Sequence, residues 1–382
     1  MPNNWNNLYT ELSDFIAEHP EIEIEENKVR ILASVRPEFY QFFNAVRTAF
    51  VEERLPDLLN EATVLNQNYL KVEQETIRLL GLDDLSMEIS LHRFVSDPIN
   101  ELRRGLFDPL FDLLKGKIGI ETLEQRSSRN IKTSFKPLYR LGYEKWVSIS
   151  LLQQLKADKL FQITPDEFAS DEERAVMRAT SPEKEAPDPE ESNRLSFKYE
   201  EEATFTVPDF IVHSARINRY VALRAQMGKA FATASNFSKK MEWHSLDSKT
   251  ALEPGITLIY MADDPREISL VADAKKICRP DLIIECREQK DWYEREGLGR
   301  IMAVHNNLKP KLGTYIVCKE SAPQQVYKEL APQQICEESS QVETPNSNKA
   351  TESDKNDIHI LVVGFDQSKL EPIISALDPV KN

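Results

Sequence analysis

The sequence predicts an α/β protein: an N-terminal α-helical bundle followed by a Rossmann-like, mostly parallel sheet domain that carries a hairpin on its edge. Three observations lead there. Apolar residues recur at helical spacing along most of residues 1–163. From residue 203, short apolar runs of strand length alternate with patterns long enough for helices, the grammar of a parallel sheet covered on both faces. Two polar segments separate these regions: an acidic Pro/Glu-rich linker at 164–202 and a polar linker at 321–357. Neither holds enough apolar surface to offset the entropy of ordering it. The sheet domain then covers 203–320, and residues 358–382 add a terminal strand and helix to it.

In the first region, Leu8, Leu12, Phe15 and Ile16 make an amphipathic stripe that ends before His19-Pro20. The acidic run 21–26 follows, and Val29, Ile31, Ala33 and Val35 then alternate as a short strand would. Pro37 suits the first turn of a helix. Beyond it, Phe39, Phe42, Phe43, Val46, Ala49 and Phe50 follow the i, i+3, i+4, i+7 rule. Leu65, Tyr69, Val72, Thr76 and Leu79 carry another helix to Gly81. Ser96-Asp97-Pro98 reads as a cap and first-turn proline ahead of Leu102, Leu106, Leu110, Leu113 and Leu114. A last helix runs from about Tyr143 to Leu160 through Trp146, Ile149, Leu152 and Leu155. These stripes are expected to be packing core.

In the second region, residues 204–212 and 219–223 read as two strands joined by a polar turn, and a helix over 229–243 follows. The run 255–261 is a strand, and Asp263-Asp264-Pro265 caps the next helix, with Ile268, Val271 and Ala272 on its face. Leu282–Cys286 is the central strand. A helix through Leu298, Ile301, His305 and Leu308 leads to strands at 313–318 and 359–364. The capping box Ser368-Lys369-Leu370-Glu371 opens the last helix.

Composition removes several function classes. The chain has 11 glycines against 21 prolines, no G-x-G-x-x-G and no G-x4-G-K-[ST], so glycine-rich phosphate loops are not its design. Its six histidines show no metal-binding spacing, and the four cysteines, Cys278, Cys286, Cys318 and Cys336, form no C-x-x-C pair. They read as buried free thiols of a reducing compartment. No basic region with an apolar core opens the chain and no window is long and apolar enough for a membrane, so a cytoplasmic protein without membrane contact is expected. The net charge of −15 repels nucleic acid at long range, although a local basic face acts within a Debye length of about 10 Å.

In a parallel sheet, ligands bind beyond the carboxyl ends of the strands. That rule points to Asp263 and Asp264, to Glu285 through Gln289, to Lys319 and Glu320, and to Gly364 through Asp366. Asp263, Asp264 and Glu285 are the candidate ligands of a Mg²⁺ ion, since hard cations take carboxylate oxygens. Glu285, Asp264 and Arg287 are the candidate catalytic groups, with the guanidinium complementing phosphate charge. A structural reading competes: Asp263 or Asp264 caps a helix, and Glu285 pairs with Arg287.

Pro280-Asp281 and Glu285-Cys286-Arg287 partly resemble the PD-(D/E)xK nucleases. The resemblance implies metal-dependent phosphodiester hydrolysis, with an acid on one strand and an E-x-K triplet on its neighbour. The chain departs from that pattern. Asp281 and Glu285 lie on one stretch, and Arg287 stands where the family has lysine; a guanidinium stays charged and takes no proton.

One stretch is distinctly basic. Residues 126–140 hold Arg126, Arg129, Lys132, Lys136 and Arg140, no acid, and the rings of Phe135 and Tyr139. It reads as a segment between helices whose cations contact phosphates while a ring stacks on a base, or as a solvated loop. The expectation for the whole chain is a non-catalytic cytoplasmic regulatory or interaction protein with a protein partner, nucleic acid being a second candidate. The alternative is a Mg²⁺-dependent nuclease or phosphoesterase.

Overall fold

The computed structural model describes residues 4–162, 189–197, 210–225, 256–265, 280–294, 297–330 and 357–378. They form two compact units: residues 4–149 with Ser196 and Phe197, and the remainder from Ser150 onward. The helices expected at 229–243 and after Asp264 lie outside the described residues.

The first unit is rich in helices. Helix α1 (Trp5–Glu18) is capped by Asn4, whose side chain accepts the Asn6 N–H at 2.9 Å, and it buries Trp5, Leu12 and Phe15. The acidic run forms β1 (Ile22–Glu25), which pairs antiparallel with β2 (Lys28–Ile31). Pro37 sits in the first turn of α2 (Arg36–Arg54), and α3 (Pro56–Leu80) ends at Gly81, whose φ of +60° closes the helix. Then come α4 (Ile89–Ser96), α5 (Pro98–Leu102), a 3₁₀ turn over Arg103–Leu106 and α6 (Phe107–Leu114). Phe43 lies between α2 and α6 in an aromatic cluster, its ring 4.6 Å from that of Phe111.

Helix α7 (Ile120–Gln154) departs most from expectation. It is one 35-residue helix, so the basic stretch is its middle and not a loop. Pro137 lies inside it. Pro137 and Thr133, one turn earlier, are both exposed, so the carbonyl left without its helical partner lies on the solvent side of the helix. At Gly142 a Cβ would stand 2.8 Å from Leu65 Cδ2 and 3.2 Å from Val95 Cγ1, so a side chain there would push α7 off its neighbours.

The second unit is built on an eight-stranded sheet: β3 (Ala157–Gln162), β4 (Glu190–Glu191), β5 (Phe210–Ser214), β6 (Arg219–Ala225), β7 (Ile256–Ala262), β8 (Leu282–Arg287), β9 (Thr314–Cys318) and β10 (Ile358–Val362). Their spatial order is β10-β9-β8-β7-β6-β5-β3-β4. The fold is mixed α/β, but the sheet is not mostly parallel. Among the described residues β8–β9 and β9–β10 pair in parallel, and the other five pairings are antiparallel. Among the described residues the strand–helix–strand plan that a Rossmann-like sheet needs is seen at those three strands. Residues 157–160, expected to end a helix, join the sheet as part of β3, and Glu190–Glu191, expected in a linker, join it too.

Helix α8 (Gly297–Leu308) covers one face of the parallel part, setting Val304 and Leu308 against Ile256, Leu258 and Ile283. Its start explains a glycine: a Cβ at Gly297 would lie 2.0 Å from the Trp292 carbonyl oxygen. The polar linker supplies a further helix, α9 (Gln324–Leu330), whose Val326 and Leu330 pack with Trp292, Ile316 and Ile358. Before the last helix, α10 (Glu371–Leu377), a short 3₁₀ turn is capped by Asp366 and not by Ser368; the Asp366 carboxylate accepts the Ser368 N–H at 3.1 Å.

Candidate functional site

Strand β8 alternates its side chains, so Ile283, Glu285 and Arg287 share the face that α8 covers. Glu285 is 1% exposed and Arg287 8%. The Glu285 carboxylate is ion-paired to Arg287 and accepts a hydrogen bond from Arg300 Nη2 at 3.2 Å, both on Oε1. Arg300 comes from α8 and is as buried as Arg287. Five residues further along α8, His305 Nδ1 lies 2.9 Å from Thr314 Oγ1 of β9. Burial holds the His305 imidazole below its ordinary pKa, with Asp357 opposing the shift. The two contacts fix one helix to two neighbouring strands. Beside Arg287, the Cys318 thiol is pushed up to about 12, burial outweighing the opposing effects of the nearby guanidinium and the Trp292 side chain.

The expected carboxylate cluster does not come together. Because β7 runs antiparallel to β8, Glu285 stands opposite Ile256, at the start of β7, while Asp263 and Asp264 follow its end. Seven residue steps along the strand separate Ile256 from Asp263, roughly 23 Å. Asp263 is largely exposed and pairs with Arg219 at 2.8 Å. Asp281 lies at that far end too, where its carboxylate accepts the Met261 N–H at 2.7 Å and a hydrogen bond from Lys311 Nζ at 2.8 Å. On its other side Glu285 faces Ile316 of β9. Among the described residues no group of His, Cys, Asp and Glu side chains is arranged to hold a metal ion. The geometry that would let a Mg²⁺ bind between Glu285 and Asp264 is therefore missing, for a reason of strand direction.

Part of the edge does assemble. The parallel strands β8, β9 and β10 end together: Lys319 N–H donates to the Arg287 carbonyl at 3.0 Å and Gly364 N–H to the Cys318 carbonyl at 3.2 Å. Glu288, Lys319 and Gly364 thus share one rim, while Glu285 lies beneath it.

The basic stretch is divided by its helix. Phe135 and Tyr139 face inward, 5% and 3% exposed, and stack on each other with ring centroids 5.2 Å apart. Neither ring is placed to stack on a base. The cations face outward: Arg126, Arg129, Lys132 and Lys136 are exposed and Arg140 is half-buried. Spacings of three and four residues set Arg129, Lys132, Lys136 and Arg140 along one side of α7, over about 16 Å. Arg126 pairs with Asp112 at 2.7 Å.

Comparison with known proteins adds no constraint: no family model, curated protein or solved structure matches the chain. The residue that sequence reasoning missed is Arg300. Its signal was positional, since Arg300 falls on the stripe of Ile301, Val304, His305 and Leu308, where a cation needs a buried anion.

Proposed function

We propose that the protein is a non-catalytic regulatory or interaction protein, its α/β domain recognising a ligand or macromolecular partner at the rim where β8, β9 and β10 end. One observation carries the reading: Glu285, the only acid of the nuclease-like triplet, lies under α8 with two arginines on one of its oxygens. A catalytic carboxylate must reach a metal or water. Among the described residues it joins no second carboxylate in a metal-holding group, it is 1% exposed, and Arg287 stands where the triplet needs a proton acceptor. The Glu-Cys-Arg sequence serves packing, joining helix to sheet. The Rossmann-like character of the domain is limited in this reading to β8–β10 and α8.

Nucleic acid is a second partner class because Arg129, Lys132 and Lys136 align on one open helix face, a pattern that contacts phosphates without reading sequence. Its association would weaken steeply with salt.

The deciding experiment incubates the protein with single- and double-stranded DNA and RNA, with and without Mg²⁺ or Mn²⁺. The expected result is intact substrate under every condition. Metal-dependent cleavage that disappears in Glu285→Gln would overturn the non-catalytic reading.

A further inference from the structure

The first unit contains a basic concavity of about 490 Å³, into which Arg47, Arg93, Arg103 and Arg104 converge. Helix α2 presents Tyr40, Asn44 and Arg47 on one face by their i, i+4, i+7 spacing, and the opposite wall comes from α5, the 3₁₀ turn and Phe107. Of the lining residues only Glu101 is acidic, and Arg104 holds it at 3.2 Å. The lining therefore has a net charge of +3.

Arg47 makes this more than a solvated basic surface. It is 6% exposed, and its hydrogen bonds go to neutral acceptors: Nε and Nη2 donate to the Arg103 carbonyl at 2.9 and 2.7 Å, and Nη1 to Asn44 Oδ1 at 2.8 Å. These use three of the five guanidinium N–H groups, leaving one on Nη1 and one on Nη2. The guanidinium packs against an edge-to-face pair of rings, its carbon 5.5 Å from the Phe43 centroid and 5.3 Å from that of Phe107. Among the described residues no carboxylate lies within ion-pair distance of it. Burial lowers its pKa to about 10, and the charges of Arg103 and Arg104 push the same way. A buried cation without a counter-ion is costly unless an anion arrives to neutralise it. Among the described residues neither Arg103 nor Arg93 has a carboxylate within ion-pair distance, although the Arg93 charge helps to lower the pKa of Glu88; the Arg103 Nε donates to Asn100 Oδ1 at 2.9 Å, which steadies the fork.

We propose that this concavity is a binding site for a phosphate monoester on a small molecule. Four guanidiniums offer more donors than the two oxygens of a carboxylate accept, whereas a phosphate monoester has three terminal oxygens and a charge near −2. The volume suits a small ligand, and the partly exposed ring of Phe107 gives its organic part an apolar wall. Positions 47, 103 and 104 act together: Arg47 is the buried contact, Arg104 the exposed one, and the Arg103 carbonyl locks Arg47 in place.

This proposal does not depend on the reading of Glu285: metal-dependent cleavage would overturn that reading and leave the pocket untouched. The test is calorimetric titration of the full chain, at constant ionic strength, with inorganic phosphate, adenosine 5′-monophosphate and glucose 6-phosphate beside adenosine and glucose. The expected result is saturable one-to-one binding of at least one phosphorylated compound, competed by inorganic phosphate, and no binding of the dephosphorylated forms. The surface variants Arg93→Ala and Arg104→Ala leave the circular-dichroism spectrum unchanged and each weaken binding about ten-fold, the loss of one charge-assisted contact. Arg47→Lys keeps the charge, loses the planar fork and weakens binding at least as much. Three results would overturn the site: no phosphorylated compound saturating at millimolar concentration, affinity unchanged in Arg93→Ala and Arg104→Ala, or binding of single-stranded DNA alone with no competition by phosphate.

Discussion

Glu285→Leu is the sharpest perturbation of the α/β unit. The native carboxylate sits at 1% exposure between two guanidiniums, each 8% exposed, so leucine leaves two like charges under α8 without the anion between them. Breaking a buried ion pair by removing one partner costs about 3–5 kcal/mol. With a factor of ten for every 1.4 kcal/mol, amide exchange of the β8 peptides should accelerate by roughly two to three and a half powers of ten. Mass-spectrometric hydrogen exchange resolves this locally and needs no assumption that both units unfold together. The companion variant replaces all three groups, Glu285→Leu, Arg287→Met and Arg300→Met. It should recover most of the loss, since an apolar cluster of similar volume is often at least as stable as a buried ion network. Acceleration of less than about five-fold in Glu285→Leu alone would rank the network with surface pairs, worth at most about 1 kcal/mol, and refute its role in holding helix to sheet.

Four further outcomes follow from the same packing. The depressed His305 pKa means that the unfolded chain binds the proton more readily, so its contribution to stability is greatest above the unfolded value of about 6.5 and falls as pH drops from there toward the folded value; urea titrations between pH 5 and 8 should show this slope, and His305→Gln should lose it. Gly297→Ala meets a backbone oxygen and should cost about 1–3 kcal/mol, whereas Gly299→Ala meets nothing within 4 Å and should be neutral or up to about 1 kcal/mol stabilising by thermal denaturation. Cys286 and Cys318 should resist iodoacetamide at pH 8 until urea is added, as read by peptide mapping, because both are buried and the Cys318 thiol is pushed up to about 12. On α7, Lys132→Glu and Lys136→Glu should each change stability by less than about 0.5 kcal/mol, while Tyr139→Ala should cost about 3–5 kcal/mol; equal effects would contradict the division of the basic stretch into an outer face and a core face.

Much of the fold was readable from local pattern. The aromatic stripe from Phe39 to Phe50, the stop at Gly81 and the apolar runs of β8 and β9 all report burial and period, which are properties of a few neighbouring residues. Helix α7 was harder, because a run of Arg, Ser, Lys and Pro with few apolar residues looks like a loop. It is a helix because Ile131, Phe135 and Tyr139 still fall on one face, and a narrow apolar stripe suffices when the opposite side stays in water. Helix α9 was hidden similarly in a polar segment, where Val326 and Leu330, one turn apart, were the whole signal.

For the candidate site, the sequence placed Glu285 and Arg287 at the end of a buried strand and offered their pairing as one outcome. It did not contain the direction of the strand before them. An apolar run such as Ile256–Ala262 reads the same whether it lies parallel or antiparallel to β8, because burial on both faces leaves no mark of polarity. Long-range pairing chose antiparallel, and that choice carried Asp263 and Asp264 to the end of β7 away from Glu285; separately, the crossover from β8 to its parallel neighbour β9 brought Arg300, fifteen residues downstream on α8, onto Glu285. Residue types and periods set which groups were buried; only the register between distant segments set which of them met.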